Sequence, residues 1–144
     1  MNFSLNSIGI SIIKKNLFLM EIIKMGKILI VDDSSLIRSV AAGAATEAGH
    51  EPIVAENGQE GLNALAQYKI DLIFSDVNMP VMGGLEMVAK IKENVEYKYI
   101  PIIMLTTESN ATLKAQGQAL GVKAWMLKPF NKKKFFMAVK KLLA

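Results

Sequence analysis

Residues 27–33 read KILIVDD, a short apolar run that ends in two adjacent acids. Consecutive apolar residues bounded by polar ones are typical of a strand that is buried on both faces. Such strands belong to parallel sheets that helices cover on both sides. The run therefore predicts an α/β fold and places two acids where the first strand ends.

From residue 27 onward the chain repeats this pattern, and apolar runs alternate with segments of helical periodicity. The other runs are residues 52–55, 72–75, 102–105 and 124–127, and the helical segments are residues 35–48, 58–68, 84–94, 110–120 and 132–143. Strand–helix units in this order predict a doubly wound, five-stranded parallel sheet in a three-layer sandwich. Right-handed crossovers leave few topologies for it.

Composition narrows the chemistry that this chain of 144 residues can perform. At 51% hydrophobic and 21% charged residues, it can bury a core as a single domain. It has no Cys and one His, His50, which excludes disulfides, thiolate metal sites and zinc sites built on several histidines. The net charge of +4 is too small to indicate a nucleic-acid partner.

Residues 1–25 differ from the rest because they are rich in apolar residues, and the alternation in residues 7–13 predicts a strand. The apolar stretch carries Glu21 and is shorter than the roughly 20 residues that span a bilayer. We therefore expect no membrane insertion and a cytoplasmic location. Residues 26–144 should form the domain. Residues 1–25 should be an extension that either has no chemistry, covers a sheet edge or joins two subunits.

Polar residues stand directly after four of the predicted strands. Asp32 and Asp33 follow the first strand, Asp76 the third, Thr106 the fourth and Lys128 the fifth. In open parallel sheets, ligands bind beyond the carboxyl ends of the strands, so these side chains should converge on one site.

Three carboxylates in one crevice repel each other by about 4 kcal/mol per pair at ~4 Å and an effective dielectric of about 20. The cluster therefore predicts proton uptake or a bound divalent cation, and oxygen-only ligands favour Mg²⁺. A site of this kind suits phosphoryl transfer, with Asp76 as nucleophile, Asp32 and Asp33 on the metal, and Lys128 and Thr106 on the phosphoryl oxygens. Taken singly, each has a simpler interpretation: Asp33 could be a helix N-cap, for example.

Four segments resemble the motifs of the response-regulator receiver domain. They are residues 30–34 (IVDDS), 76–84 (DVNMPVMGG), 105–108 (LTTE) and 128–130 (KPF). The resemblance covers about residues 26–144 and is to the single-domain chemotaxis type. It implies a flavodoxin-like (CheY-like) fold with strand order 2-1-3-4-5. It also implies a two-component phospho-signalling protein, which is a phosphoacceptor with self-catalysed phosphotransfer and autodephosphorylation rather than an enzyme.

The resemblance assigns the metal and phosphoryl chemistry to individual residues. Asp76 corresponds to the phosphorylated aspartate. Asp33, Asp76 and the backbone carbonyl of Asn78 correspond to the Mg²⁺ ligands, and Asp32 reaches the metal through water. Asn78 and Glu108 stand at positions that influence how fast water removes the phosphoryl group.

Further roles that the resemblance implies concern the conformational switch. Thr106 corresponds to the switch hydroxyl, and Lys128 to the lysine of the site, whose bond to Pro129 is expected to be cis. Trp125 stands at the switch aromatic position, where Tyr or Phe is more usual. The alternative is a core tryptophan that takes no part in switching.

The resemblance also implies partners. A sensor histidine kinase would supply the phosphoryl group from a phosphohistidine, and a phosphatase could remove it. Output would be by docking of the face formed by residues 110–120, 124–127 and 132–143 onto a target such as the flagellar motor switch. The alternative is a phosphorelay intermediate or phosphate sink without motor binding. We expect no nucleic-acid partner. We also expect a monomer, or a dimer if residues 1–25 join two copies of the chain.

Three other classes of protein fit less well. A haloacid-dehalogenase-like phosphohydrolase needs a second acid two residues after the nucleophile, where this chain has Asn78. A nicotinamide-binding fold needs a G-x-G-x-x-G turn after the first strand, which is missing. A DNA-binding protein would depend on the lysine-rich C-terminal part alone.

Overall fold

The computed structural model describes residues 7–107 and 110–143. In this part of the chain, six helices and five strands alternate. The helices are α1 (Ser7–Lys24), α2 (Ser35–Glu47), α3 (Gly58–Gln67), α4 (Gly84–Glu93), α5 (Ala111–Ala119) and α6 (Lys132–Leu142). The strands are β1 (Lys27–Val31), β2 (Glu51–Ala55), β3 (Leu72–Asp76), β4 (Ile102–Thr106) and β5 (Ala124–Leu127).

The five strands form one parallel sheet in the order β2-β1-β3-β4-β5. This confirms the predicted fold class and strand order. Strand β3 lies at the centre and is buried along its whole length, as is β4. Every strand ends at the same edge of the sheet, so the residues at the carboxyl ends of β1, β3, β4 and β5 meet there.

Strand side chains alternate between the two faces of the sheet and build a core on each. Leu29, Ile73 and Met104 pack on the face that α3 and α4 cover. Phe74 and Phe135 belong to the other core, under α2 and α6, with their rings edge to face at 5.2 Å between centroids. Helices thus cover both faces of the sheet. A ligand can therefore reach the strand residues only at an edge of the sheet.

Helix α2 begins directly after the two acids, and its N-cap is Ser34. The Ser34 side chain accepts a hydrogen bond from the backbone N–H of Ile37 at 3.3 Å. The alternative that Asp33 caps this helix is therefore wrong, because the serine hydroxyl already satisfies an orphan N–H of the first turn. The Asp33 carboxylate is left available for another role.

Residues 7–13, predicted as a strand, lie in helix α1 instead. A helix satisfies its backbone hydrogen bonds within the segment, whereas a strand needs a partner at a sheet edge. Its apolar side chains that the structure describes, such as Ile8 and Leu17, are more than 40% exposed, so they do not cover the sheet. None of the described helices combines the length and apolar composition that crossing a bilayer requires.

Candidate functional site

Three carboxylates meet at the carboxyl edge of the sheet. Asp32 and Asp33 lie in the loop after β1, and Asp76 is the last residue of the central strand β3. Oxygen atoms of the three side chains all lie within 4.8 Å of one another. Asp32 and Asp76 are buried, and Asp33 is exposed. The cluster therefore has a buried floor of two acids and an accessible third acid at its rim.

Lys128 reaches this cluster from the end of β5. Its Nζ atom lies 3.2 Å from Oδ2 of Asp76 and 3.3 Å from Oδ2 of Asp32. The backbone N–H of Lys128 donates to the carbonyl of Thr106 at 2.8 Å, and the bond to Pro129 is cis, as the resemblance implied. The ammonium group thus bridges two acids that lie at the carboxyl ends of two different strands.

The charges of the site shift the pKa values of its members. Burial raises the pKa of Asp76, and the nearby Asp32 carboxylate raises it further, while Lys128 opposes both effects. Burial alone would lower the pKa of Lys128, but the attraction of Asp76 and Asp32 outweighs it and raises that pKa. The lysine stays cationic, and the pocket holds more negative charge than one ammonium group can balance.

The carboxylates have unused capacity to bind a cation. Oδ1 of Asp76 accepts a hydrogen bond from the backbone N–H of Val77 at 2.8 Å, and Oδ1 of Asp32 accepts one from Ser34 at 2.9 Å. Oδ2 of Asp32 is buried, and although it lies near Lys128, it has no hydrogen bond in the described part of the chain. Since the donors are oxygens only, the set suits a hard ion such as Mg²⁺.

A cavity of about 330 Å³ opens beside the accessible acid of the cluster. Asp33, Asn78 and Pro80 are among its lining residues, and Asn78 is exposed. Solvent and a phosphodonor can therefore approach the cluster from this side. Glu108, which the sequence resemblance singled out together with Asn78, lies outside the described residues.

Thr106 and Trp125 occupy neighbouring strands next to the cluster. Thr106 is the fully buried last residue of β4. Trp125 lies on β5 and packs against Gly117 of α5 so closely that a Cβ atom at Gly117 would lie 2.7 Å from Cζ3 of the indole. The indole Nε1 is buried and has no hydrogen-bond partner among the described residues. Because Gly117 has no side chain, the large aromatic ring of Trp125 fits against the helix.

Two residues that support the acids were not identified from the sequence. A Cβ atom at Gly84, the first residue of α4, would lie 2.1 Å from the carbonyl oxygen of Asp76, so only glycine fits there. Nη1 of Arg38 donates a hydrogen bond of 2.7 Å to the carbonyl oxygen of Asp32. The paired glycines at 83–84 were a signal for the first, but no local pattern reveals the second.

The sequence is similar to a known protein family and to individual members of known function. The family model described as the response regulator receiver domain matches residues 28–140. The chemotaxis protein CheY homolog of Campylobacter jejuni is 37% identical over 107 residues, which are 73% of this chain and 82% of that protein. The chemotaxis protein CheY1 of Helicobacter pylori (strain ATCC 700392 / 26695) is 38% identical over 109 residues, 73% of this chain and 86% of that protein.

The solved structure of the chemotaxis protein CheY4 of Vibrio cholerae is similar in fold. It superposes with a TM-score of 0.78 at 40% sequence identity and covers 82% of this chain and 98% of that chain.

Proposed function

Since the chain belongs to the response regulator receiver family, we propose that Asp76 is its phosphoacceptor and takes a phosphoryl group from a sensor histidine kinase. The family assignment confirms the resemblance that the motifs indicated. Receiver domains are phosphoacceptor signalling proteins of two-component systems rather than classical enzymes. The observation that carries the proposal is the contact of Lys128 with Asp76 inside a cluster of three acids.

The proposed reaction is the attack of the Asp76 carboxylate on the phosphorus of a phosphohistidine. A phosphorus–oxygen bond forms, the phosphorus–nitrogen bond breaks, and its electron pair stays on the imidazole nitrogen of the kinase. Lys128, 3.2 Å from the carboxylate, stabilises the negative charge of the transferred oxygens. The backbone N–H of Val77 holds the carboxylate in place during the transfer.

The metal site uses the same acids. The carboxylates of Asp33 and Asp76 and the backbone carbonyl of Asn78 would hold Mg²⁺, and Asp32 would act through a water molecule. The bound ion supplies positive charge against the phosphoryl oxygens. The buried Asp32 Oδ2, whose only described partner is the ion pair with Lys128, and the excess of negative charge support this assignment.

The output would use the face formed by α5, β5 and α6. In the proposed switch, the hydroxyl of Thr106 moves to the phosphoryl group, and Trp125 responds because its strand neighbours that residue. Relatives named as chemotaxis proteins support a target such as the flagellar motor switch. The alternative is a phosphorelay intermediate or phosphate sink. In either case, Asn78 and Glu108 would influence how fast water removes the phosphoryl group.

We also propose that the receiver domain comprises residues 26–144 and that residues 1–25 are an extension. The match to the family model begins at residue 28, and the described apolar side chains of α1 lie in solvent. A chain that starts at Met25 should unfold with the same free energy in urea as the full chain. A loss of more than about 1 kcal/mol would show that α1 belongs to the folded domain.

The test of the phosphoacceptor function uses the fluorescence of Trp125, the one tryptophan of the chain. Fluorescence should change on adding Mg²⁺ and change again on adding beryllofluoride, which mimics a phosphoryl group on a carboxylate. The matched control is Asp76→Asn, which should lose the second response while keeping its fold by circular dichroism. A second response of full size in Asp76→Asn would contradict the proposal.

Output is tested with the beryllofluoride-loaded protein. Chemotaxis-type output predicts that a motor switch protein binds this form more tightly than the free form, as measured by calorimetry. Transfer of the phosphoryl group onward to a second histidine protein, without such binding, would favour the relay alternative.

A further inference from the structure

Arg38 joins the loop that carries two of the acids to a neighbouring loop. Its guanidinium donates through Nη1 to the carbonyl oxygen of Asp32 at 2.7 Å. Its Nη2 lies 3.6 Å from Oε1 of Glu56, in the loop after β2. The Arg38 side chain is only 16% exposed, whereas that of Glu56 is 68% exposed. The hydrogen bond to the carbonyl is therefore shielded from solvent, whereas the ion pair with Glu56 is exposed and forms an outer brace, a second contact that holds the guanidinium from the solvent side.

The accepting carbonyl belongs to the peptide that links the two acids. Because a peptide unit is planar, fixing the Asp32 carbonyl also fixes the direction in which the chain enters Asp33. Asp33 is exposed, and in the described part of the chain its carboxylate makes neither a hydrogen bond nor an ion pair. The direction in which the Asp33 side chain leaves the loop is therefore set by the backbone.

Other contacts hold Asp32 but leave its carbonyl free. The Asp32 N–H donates to the carbonyl of Ala55 at 3.1 Å, and its Oδ1 accepts from the Ser34 N–H at 2.9 Å. The guanidinium is a rigid fork, so one side chain can hold the carbonyl and face Glu56 together.

We propose that Arg38 is a positioning residue of the metal site, which aligns the Asp32–Asp33 peptide so that both carboxylates face the same ion. This inference rests on the proposed function, since it takes the acid cluster to be a Mg²⁺ site. The proposed role predicts the direction in which the Mg²⁺ affinity changes when Arg38 is replaced. The positive charge of Arg38 opposes cation binding, whereas its hydrogen bond favours it, so removing the side chain separates the two effects.

The experiment measures the dissociation constant of Mg²⁺ by calorimetry for the full chain and for Arg38→Met. Loss of a residue that orients a ligand typically weakens metal binding by 10-fold or more, and we expect about a 10-fold increase in the constant. Arg38→Lys keeps the charge but cannot reach both partners, so it should also bind Mg²⁺ more weakly. Glu56→Gln removes only the outer brace and should stay within about twofold of the wild type.

A purely structural role would lower the melting temperature without moving the Mg²⁺ constant, so both are measured. Labelling by acetyl phosphate adds a second readout: Arg38→Met should need more Mg²⁺ but reach the same maximal rate. If wild type binds Mg²⁺ and Arg38→Met binds it equally or more tightly, the positioning role is overturned while the proposed function stands. If wild type itself binds no Mg²⁺ at millimolar concentrations, the proposed function fails first.

Discussion

Asp33 is the exposed member of the acid cluster, and its replacement by Asn changes the charge of the site without breaking a described hydrogen bond. The side chains have nearly the same shape, so packing is preserved. Asp33→Asn should therefore have opposite effects on stability without and with Mg²⁺, because the charge it removes repels the other acids and attracts the ion.

The magnitude follows from the distances in the cluster. Unit charges at the 4.8 Å limit that encloses the oxygens repel by about 3.5 kcal/mol at an effective dielectric of about 20. Asp33 is exposed, so solvent screening reduces its total repulsion with Asp32 and Asp76 to about 1 kcal/mol. For a domain of this size that corresponds to about 3 °C, so metal-free Asp33→Asn should melt about 3 °C above the wild type.

With Mg²⁺ the wild type should melt at a higher temperature than Asp33→Asn. At a concentration about 100 times its dissociation constant, a ligand stabilises the folded state by about 2.7 kcal/mol, which raises the melting temperature of the wild type by about 8 °C. Asp33→Asn lacks a proposed ligand and should gain less than about 2 °C.

The assay is thermal unfolding followed by circular dichroism at constant ionic strength, with and without Mg²⁺. The control is Glu96→Gln, which makes the same change in charge in the loop before β4, at the opposite edge of the sheet. Glu96→Gln should show the full Mg²⁺ effect. A metal-free Asp33→Asn less stable than the wild type, or one that keeps the full response to Mg²⁺, would show, respectively, that Asp33 does not repel the other acids or does not bind the ion.

Three further predictions concern packing, pH and backbone strain. Gly117→Ala places a methyl group 2.7 Å from the Trp125 ring and should destabilise by about 1–3 kcal/mol in urea, whereas Gly43→Ala, with open space around it, should stabilise by about 0.5–1 kcal/mol. Equal effects of the two would contradict the packing. Burial, partly opposed by a nearby aspartate, lowers the pKa of His50 below its ordinary 6.5. The neutral imidazole of His50 therefore contributes its full stability above pH 6.5, and this contribution is lost as the pH falls and the unfolded chain takes up the proton more readily. The free energy of unfolding of His50→Gln should thus fall less than that of the wild type between pH 7.5 and 5.5. An equal fall in both proteins would disprove this. Val81 has a φ of 69°, which strains a β-branched residue, so Val81→Asn should raise the free energy of unfolding by about 1 kcal/mol, and a decrease would count against strain.

Most of the fold could be predicted because its strands are short, apolar and buried on both faces, as in β3 and β4. The prediction failed at residues 7–13, where alternation and helical spacing are hard to distinguish in a short apolar segment. The helix leaves these side chains in solvent, so no core contact was available to select one pattern.

The acids and Lys128 could be named from the sequence because parallel strands bring their carboxyl ends to one edge. The contacts that support them could not. The bond of Arg38 to Asp32 depends on how α2 leaves its loop, and the space beside Asp76 depends on the packing of Gly84. Both are tertiary contacts. The paired glycines at 83–84 signal a close approach of the backbone there, but no local pattern encodes the bond of Arg38.

The most direct measurement is the intact mass of the protein after incubation with Mg²⁺ and acetyl phosphate, followed by borohydride trapping and peptide mapping. Before reduction we expect the gain of a single phosphoryl group, and after borohydride has converted the acyl phosphate to homoserine we expect that homoserine at position 76. Both signals should disappear in Asp76→Asn and when Mg²⁺ is chelated. A phosphoryl group mapped to any other residue, or a label that persists without Mg²⁺, would contradict this expectation.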